Sequence, residues 1–195
     1  SEVYQNAITI PADESIELKI SDIFNPRFSY GGGKIISELI AINFGRKFFE
    51  KVIIFRPHNV YGPNMGNQHV IPEFIIRMSE LDNNNIFKIQ GSGEETRSFI
   101  YISDFIEGLS LIMKYGKNLN IYNIGTSQEI KIKDLVKIIA KMFNLDINLE
   151  LGSLLKGSPK RRCPDIKKIT ELGFNPKIDI NEGIKMTKKW YVKGL

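Results

Sequence analysis

Tyr30-Gly31-Gly32-Gly33-Lys34 opens a long apolar-periodic segment, Ile35-Ile36, Leu39-Ile40 and Ile42, which hands over to a short strand, Val52-Ile53-Ile54-Phe55. Apolar residues recurring every three or four positions predict a helix near 29–48, and the β-branched run behind it predicts a strand near 52–56. A tyrosine and a lysine four residues apart share one helix face and can work as one proton-transfer device. A free phenol titrates near about 10, and an ammonium a few ångströms away favours the phenolate, which yields a base able to take a proton from a hydroxyl. With 7 Tyr in a lysine-rich chain the spacing alone is weak, and a solvated pair on an amphipathic helix reads it equally well. Weight comes from the helix-to-strand step and from the three glycines. Each costs about 1 kcal/mol against alanine inside a helix, so they point to backbone held close to something bulky, a cofactor ring or a partner helix.

Outward from this segment, helix and strand patterns alternate. Residues 5–28, with Pro11 and Pro26 and scattered acids, read as a long irregular loop. Further helices are expected near 70–81, 103–115, 131–143, 165–172 and 180–192, and strands near 86–89, 98–102, 120–124 and 147–151. Asp82-Asn83-Asn84-Asn85 reads as a surface turn, and no internal repeat is present. Alternation of this kind predicts an α/β protein, in which residues 1–64 complete a parallel sheet and residues 65–195 form a smaller mixed lobe. Ser1-Glu2-Val3-Tyr4 reads as the end of a buried strand with no strand before it and no initiating methionine, so a fragment is expected. Ligands of such sheets sit outside the carboxyl ends of the strands, which turns Ser1-Glu2 and Arg56-Pro57-His58-Asn59-Val60-Tyr61-Gly62-Pro63 toward the same crevice as Tyr30.

Composition narrows the function classes. At 195 residues, 42% apolar and 25% charged, the chain is ordinary globular material. A net charge of +5 and a pI near 9.2 suit an anionic ligand. The basic residues form no block and lack interleaved exposed aromatics, so nucleic acid is disfavoured. Cys163 is the one cysteine, which forbids an internal disulfide and favours a reducing compartment; with only His58 and His69 beside it, no metal site is expected. No apolar run reaches the length of a membrane span and no signal peptide opens the chain, so a cytoplasmic protein without a membrane partner is expected.

Four blocks in order, Ser1 to Tyr4, Tyr30 to Lys34, Arg56 to Pro63, and Gly91-Ser92-Gly93-Glu94-Glu95-Thr96-Arg97-Ser98-Phe99-Ile100-Tyr101-Ile102-Ser103-Asp104, resemble the extended short-chain dehydrogenase/reductase family of nucleotide-sugar epimerases, dehydratases and decarboxylases. A fifth, Arg161-Arg162-Cys163-Pro164-Asp165-Ile166-Lys167-Lys168 with Leu172-Gly173-Phe174-Asn175-Pro176, is similar to the family's late arginine motif. The resemblance covers nearly the whole chain. It implies the C-terminal part of a Rossmann-type doubly wound sheet plus a substrate-binding lobe, NAD as cofactor with NADP left open, a nucleotide-diphosphate sugar as substrate, and a homodimer built on the Tyr30 helix.

Residue roles follow from the same resemblance. Tyr30 is implied to be the base that deprotonates the sugar C4 hydroxyl, with Lys34 its electrostatic partner and a ribose ligand; Pro57 and His58 are implied to border the cofactor. Asn59, Arg97 and Arg162 are implied to hold the nucleotide diphosphate, and guanidinium pairs suit that task. The other readings are a turn cap for Asn59 and a surface cation beside Glu94 and Glu95 for Arg97, while Arg161 is taken as the solvated member of its pair. Glu2 points to dehydratases and decarboxylases, where a carboxylate serves the C5 proton or an elimination; its alternative is a loop-capping acid. The family's catalytic Thr or Ser would precede Ser1, leaving Ser1 as a stand-in. Gly91-Ser92-Gly93 reads as a turn before a strand, because no helix opens after it. Two departures stand out: these residues contain no glycine-rich dinucleotide fingerprint, and the triple glycine is unusual for the family. UDP-glucuronate decarboxylase is the nearest rival, and a non-catalytic nucleotide-sugar binder or interaction module the rival of another class.

Overall fold

The computed structural model describes residues 1–5, 7–154 and 157–192. A 3-10 turn, Glu2–Tyr4, leads through an irregular stretch to α1 (Arg27–Phe48), β1 (Ile53–Pro57), β2 (Val60–Tyr61), α2 (Val70–Ser79) and β3 (Ile86–Ile89). Then come β4 (Thr96–Ser98), β5 (Ile100–Tyr101), α3 (Ile102–Tyr115), β6 (Asn120–Ile124), β7 (Glu129–Lys131) and α4 (Ile132–Met142). The chain finishes with β8 (Asn148–Leu151), β9 (Arg161–Arg162), α5 (Lys167–Thr170) and α6 (Ile180–Tyr191). No helix among the described residues is long and apolar enough to cross a membrane.

The sheets are mostly parallel. β1 pairs with β6, β2 with β5 and β3 with β8, all parallel, while β4 lies between β7, antiparallel, and β9, parallel. The run expected as one strand over 98–102 breaks at Phe99, because Ser98 pairs toward Glu129 and Ile100 toward Val60. Pairing of β1 with β6 and of β2 with β5 also crosses residue 64, so the two parts of the chain share strands.

Helix packing follows the sequence pattern. α2 buries Ile71, Phe74, Ile75 and Met78, and α4 buries Ile132, Leu135, Val136 and Ile139, each set an i, i+3, i+4, i+7 stripe. With Phe87, Tyr61 and Ile184 they form one core. A second core joins Tyr122 and Ile124 of β6 to Ile112 of α3, Ile169 of α5 and Phe174. α5 stops early because Gly173, at φ 93°, turns the chain so that Phe174 N reaches back to Ile169 O.

One expectation changes around α1. Glu2–Tyr4 is a 3-10 turn where the end of a strand is expected, since Tyr4 N donates to Ser1 O and Gln5 N to Glu2 O, curling the segment until Tyr4 reaches the core. Gly31 and Gly32 face this chain's own loop. A Cβ on Gly31 would stand 2.9 Å from the Glu2 carbonyl oxygen and from Gln5 Nε2, and one on Gly32 2.9 Å from Ile20, whereas Gly33 has nothing within 4 Å. Of the apolar residues that mark α1 as a helix, Ile36, Leu39 and Ile40 lie exposed, as does Phe44.

A buried polar network fixes this end of the molecule. Arg56 of β1, 3% exposed, clamps Glu38 of α1 through two bonds of 2.9 and 2.8 Å and donates to Tyr4 OH at 2.8 Å. Tyr4 OH in turn donates to Asn123 Oδ1 at 2.7 Å. Asn123 ties the irregular stretch down, giving its side-chain N–H groups to Ala12 O and Asp165 O and its backbone N–H to Glu14.

Candidate active site

Tyr30 and Lys34 stand on the first turns of α1 with their side chains exposed, Tyr30 by 61%. Lys34 Nζ lies 5.3 Å from the Tyr30 ring centroid, and neither polar end forms a hydrogen bond or ion pair among the described residues. Both are therefore free to serve a ligand. Behind them, the turn carrying Glu2 touches α1 at Gly31.

Glu2 is paired with Arg162 of β9, contributed from the far end of the chain. Burial works against the Glu2 carboxylate, but the adjacent guanidinium and its hydrogen bond win, and the carboxyl falls below its ordinary range. Arg97 of β4 is half-buried, and its Nη1 donates only to backbone, to Thr96 O at 2.7 Å and Lys160 O at 3.5 Å. Burial, then the neighbouring charges of Arg162 and Arg27, push its pKa down to about 10. Arg162 Nε is buried and has no hydrogen-bond partner among the described residues. Arg27, in the first turn of α1, bonds Gly157 O at 3.1 Å and acts electrostatically on both Glu2 and Arg97. The arrangement thus holds three guanidiniums around one paired carboxylate.

The acids beside Arg97 are committed elsewhere. Glu94 pairs with Lys131 and Lys133, while the Glu95 carboxylate accepts from Ser92 N at 3.2 Å and Gly93 N at 2.9 Å. This nest requires Gly91 and Gly93 at φ 80° and 76°, a structural turn ahead of β4. Arg161 is exposed and bridges to Glu129 at 2.5 Å.

Past the end of β1, Ser1 N donates to Pro57 O at 2.7 Å, which brings these two segments together. His58 is buried against Asn123, with Nε2 3.1 Å from Oδ1 and Nδ1 unpartnered among the described residues; burial holds its pKa well below the usual imidazole range. Asn59 adopts φ 42°, a conformation asparagine tolerates, and donates from Nδ2 to Ser98 O at 2.7 Å, so its amide ties β1 to β4 instead of capping the Gly62-Pro63 turn. A cavity of about 740 Å³ bordered by Thr126, Pro164, Phe174 and Lys177 has none of the candidate residues in its wall. No cluster of three or more metal-ligating side chains occurs among the described residues.

Of the residues singled out from sequence, Glu2 and Arg162 are brought into direct contact, with Arg97 in their field, and Tyr30 and Lys34 stand together one glycine away from the Glu2 turn. Sequence reasoning missed Arg27. Its signal was present, three residues before Tyr30 on the same helix, a spacing that places two side chains side by side.

Residues 1–125 match the family described as NAD dependent epimerase/dehydratase. The chain is 32% identical over 197 residues to dTDP-D-glucose 4,6-dehydratase of Homo sapiens, covering 97% of this chain and 54% of the relative. It is 30% identical over 192 residues to UDP-glucuronic acid decarboxylase 6 of Arabidopsis thaliana, again covering 97% and 54%. A crystal structure of dTDP-glucose 4,6-dehydratase from Streptomyces venezuelae with NAD and TYD bound superposes with a TM-score of 0.83 at 26% identity, over 97% of this chain and 57% of that one. The chain spans about half the length of these relatives. Its parallel sheets, its tyrosine–lysine helix and the match over residues 1–125 converge: the chain belongs to the NAD-dependent epimerase/dehydratase family.

Proposed function

We propose that this chain carries the sugar-oxidising site of an NAD-dependent nucleotide-sugar epimerase or dehydratase, with residues 1–64 bearing the catalytic helix and residues 65–195 holding the nucleotide sugar. The observation that carries the reading is the surplus of positive charge around Glu2: among the described residues Arg97 has no carboxylate partner, Arg162 has one, and Arg27 adds a third cation. A diphosphate accepts charge-assisted bonds from such guanidiniums.

Tyr30 takes the proton from the sugar C4 hydroxyl and Lys34 serves as its electrostatic partner. The exposed ends of both side chains, unpaired among the described residues, fit the ribose side of NAD, and Pro57 and His58 are assigned to the cofactor side in this proposal. When bound, NAD supplies a hydride acceptor and later gives the hydride back, so the overall redox balance is zero. Ionised by Arg162, Glu2 is equipped to accept the C5 proton once C4 is a ketone, with Ser1 adjacent to it. Asn59 borders the nucleotide alongside Arg97 and Arg162.

A second reading, UDP-glucuronate decarboxylase, is favoured by Arg27, since a uronate adds one negative charge beyond the diphosphate. Incubating the natural chain that contains these residues with NAD and UDP-, GDP-, dTDP- and CDP-sugars, with products followed by mass spectrometry, decides among them. Loss of water marks a dehydratase, loss of carbon dioxide a decarboxylase, and unchanged mass with a new chromatographic peak an epimerase. Binding without product from any sugar would replace both readings with a non-catalytic binder.

Arg162→Ala is expected to weaken nucleoside-diphosphate binding about ten- to hundredfold, the worth of one or two hydrogen bonds to a charged group. Arg161→Ala serves as the control and should stay within about threefold, because Arg161 pairs with Glu129 at the surface. Equal losses by calorimetry in the two variants would remove Arg162 from the site.

The same proposal includes a cytoplasmic homodimer. The exposed apolar residues Ile36, Leu39, Ile40 and Phe44 of α1 offer a second copy a face to cover. Sedimentation of the natural chain should give twice the monomer mass, and Leu39→Glu should halve it; a parent that sediments as a monomer at micromolar concentration would end this part of the proposal.

A further inference from the structure

Gln5 is held in an unfavourable state on two counts. Its backbone lies at φ 45°, ψ −108°, a conformation that disfavours any residue with a Cβ. Its side chain is only 8% exposed, yet neither Nε2 nor Oε1 finds a hydrogen-bond partner among the described residues. Both features coincide at one contact. The carboxamide lies over Gly31, with Nε2 2.9 Å from where a Cβ would stand, and the Glu2 carbonyl, which accepts from Gln5 N at 3.2 Å, presses on the same spot. Gly31 follows Tyr30 directly, so the side chain of Gln5 is a wedge between the turn that bears Glu2 and the helical turn that bears Tyr30 and Lys34.

We propose that Gln5 is a positioning residue that sets the distance of the Tyr30–Lys34 pair from Glu2. It touches no substrate, because both amide atoms are sealed from solvent; it acts by filling the gap above Gly31, and its size fixes how near α1 stands. The need for glycine at 31 follows from the same contact. This inference rests on the reading of Tyr30 as the base and Glu2 as the group at C5.

The test uses the natural chain containing residues 1–195, NAD and whichever nucleotide sugar it converts, with Gln5→Gly, Gln5→Met and Tyr30→Phe measured side by side. Glycine suits the left-handed backbone, so Gln5→Gly should melt no lower than the parent while kcat falls about ten- to hundredfold, the scale of a misplacement near 1 Å, with KM within about threefold. Gln5→Met refills the gap and should restore kcat to within about threefold of the parent. Parent-like kcat in Gln5→Gly overturns the proposal. So does a matching fall in melting temperature, which would make the role one of packing, and so does a Gln5→Met as slow as Gln5→Gly, which would show that the amide itself is required. If Tyr30→Phe turns over like the parent, the reading of the site fails first; if Tyr30→Phe is inactive and Gln5→Gly is not, only the positioning role fails.

Discussion

Tyr30→Phe is expected to lower kcat by about 10³-fold, within the range that removing a general base costs, while the affinity for the nucleotide sugar stays within about threefold. The geometry separates the two quantities. The Tyr30 ring is exposed on α1 and contributes to neither core, so deleting its hydroxyl removes no packing and should leave the thermal midpoint unchanged. The arginines proposed to hold the diphosphate sit on β4 and β9 and make no contact through the phenol. Steady-state kinetics of the natural chain with NAD, paired with calorimetric binding of the sugar nucleotide, checks this. A variant that keeps more than about a tenth of parental turnover would show that Tyr30 is not the base.

Arg56→Met is expected to destabilise the protein by about 3–5 kcal/mol, because removing one partner of a buried ion pair leaves the other charge uncompensated. Glu38, whose side chain is 13% exposed, would lose both of its bonds from the guanidinium, and Tyr4 OH would lose its donor. Burial opposes the charge on Arg56, and the bonds to Glu38 and Tyr4 outweigh that opposition, raising its pKa further. Replacing both partners, Arg56→Met with Glu38→Leu, should recover most of the loss, since no buried charge then remains. Urea denaturation provides the measure: a single variant within about 1 kcal/mol of the parent, or a double variant worse than the single, would contradict the account. Because Glu38 lies on the helix that carries Tyr30, the single substitution should reduce turnover as well.

Much of the architecture could be read from local pattern. α2 and α4 each declare a buried stripe, and β1, β3 and β6 are largely apolar runs of ordinary length. β2, β7 and β9 escaped because they are two or three residues long and exist only through partners distant in the chain. The turn at Glu2–Tyr4 was misread for a related reason: Val3 and Tyr4 are apolar and buried as a strand end would be, but their burial comes from the link to Asn123 and not from sheet pairing. At the site, residue identities were legible through motif resemblance while their mutual contacts were not. Nothing in the sequence joins Glu2 to Arg162, which fall at opposite ends of the chain, or states that Gln5 and Ile20 cover Gly31 and Gly32. Periodicity marked α1 as a helix without revealing which flank this chain leaves bare.

The parallel pairing of β1 with β6 bears on how the chain is made. β1 is not joined by β6 until residues 120–124 have been synthesised, and the core built on α2 and α4 waits for Ile184 of α6. Neither core can close from the N-terminus onward as the polypeptide leaves the ribosome, since the closing contacts are non-local and arrive late. During that interval α1 presents its apolar flank to solvent while β6 has yet to join β1. Nascent chains of this protein are therefore more open to misassociation before residue 124 emerges, and a translational pause once β6 has emerged, not before it, would favour a high yield of folded protein.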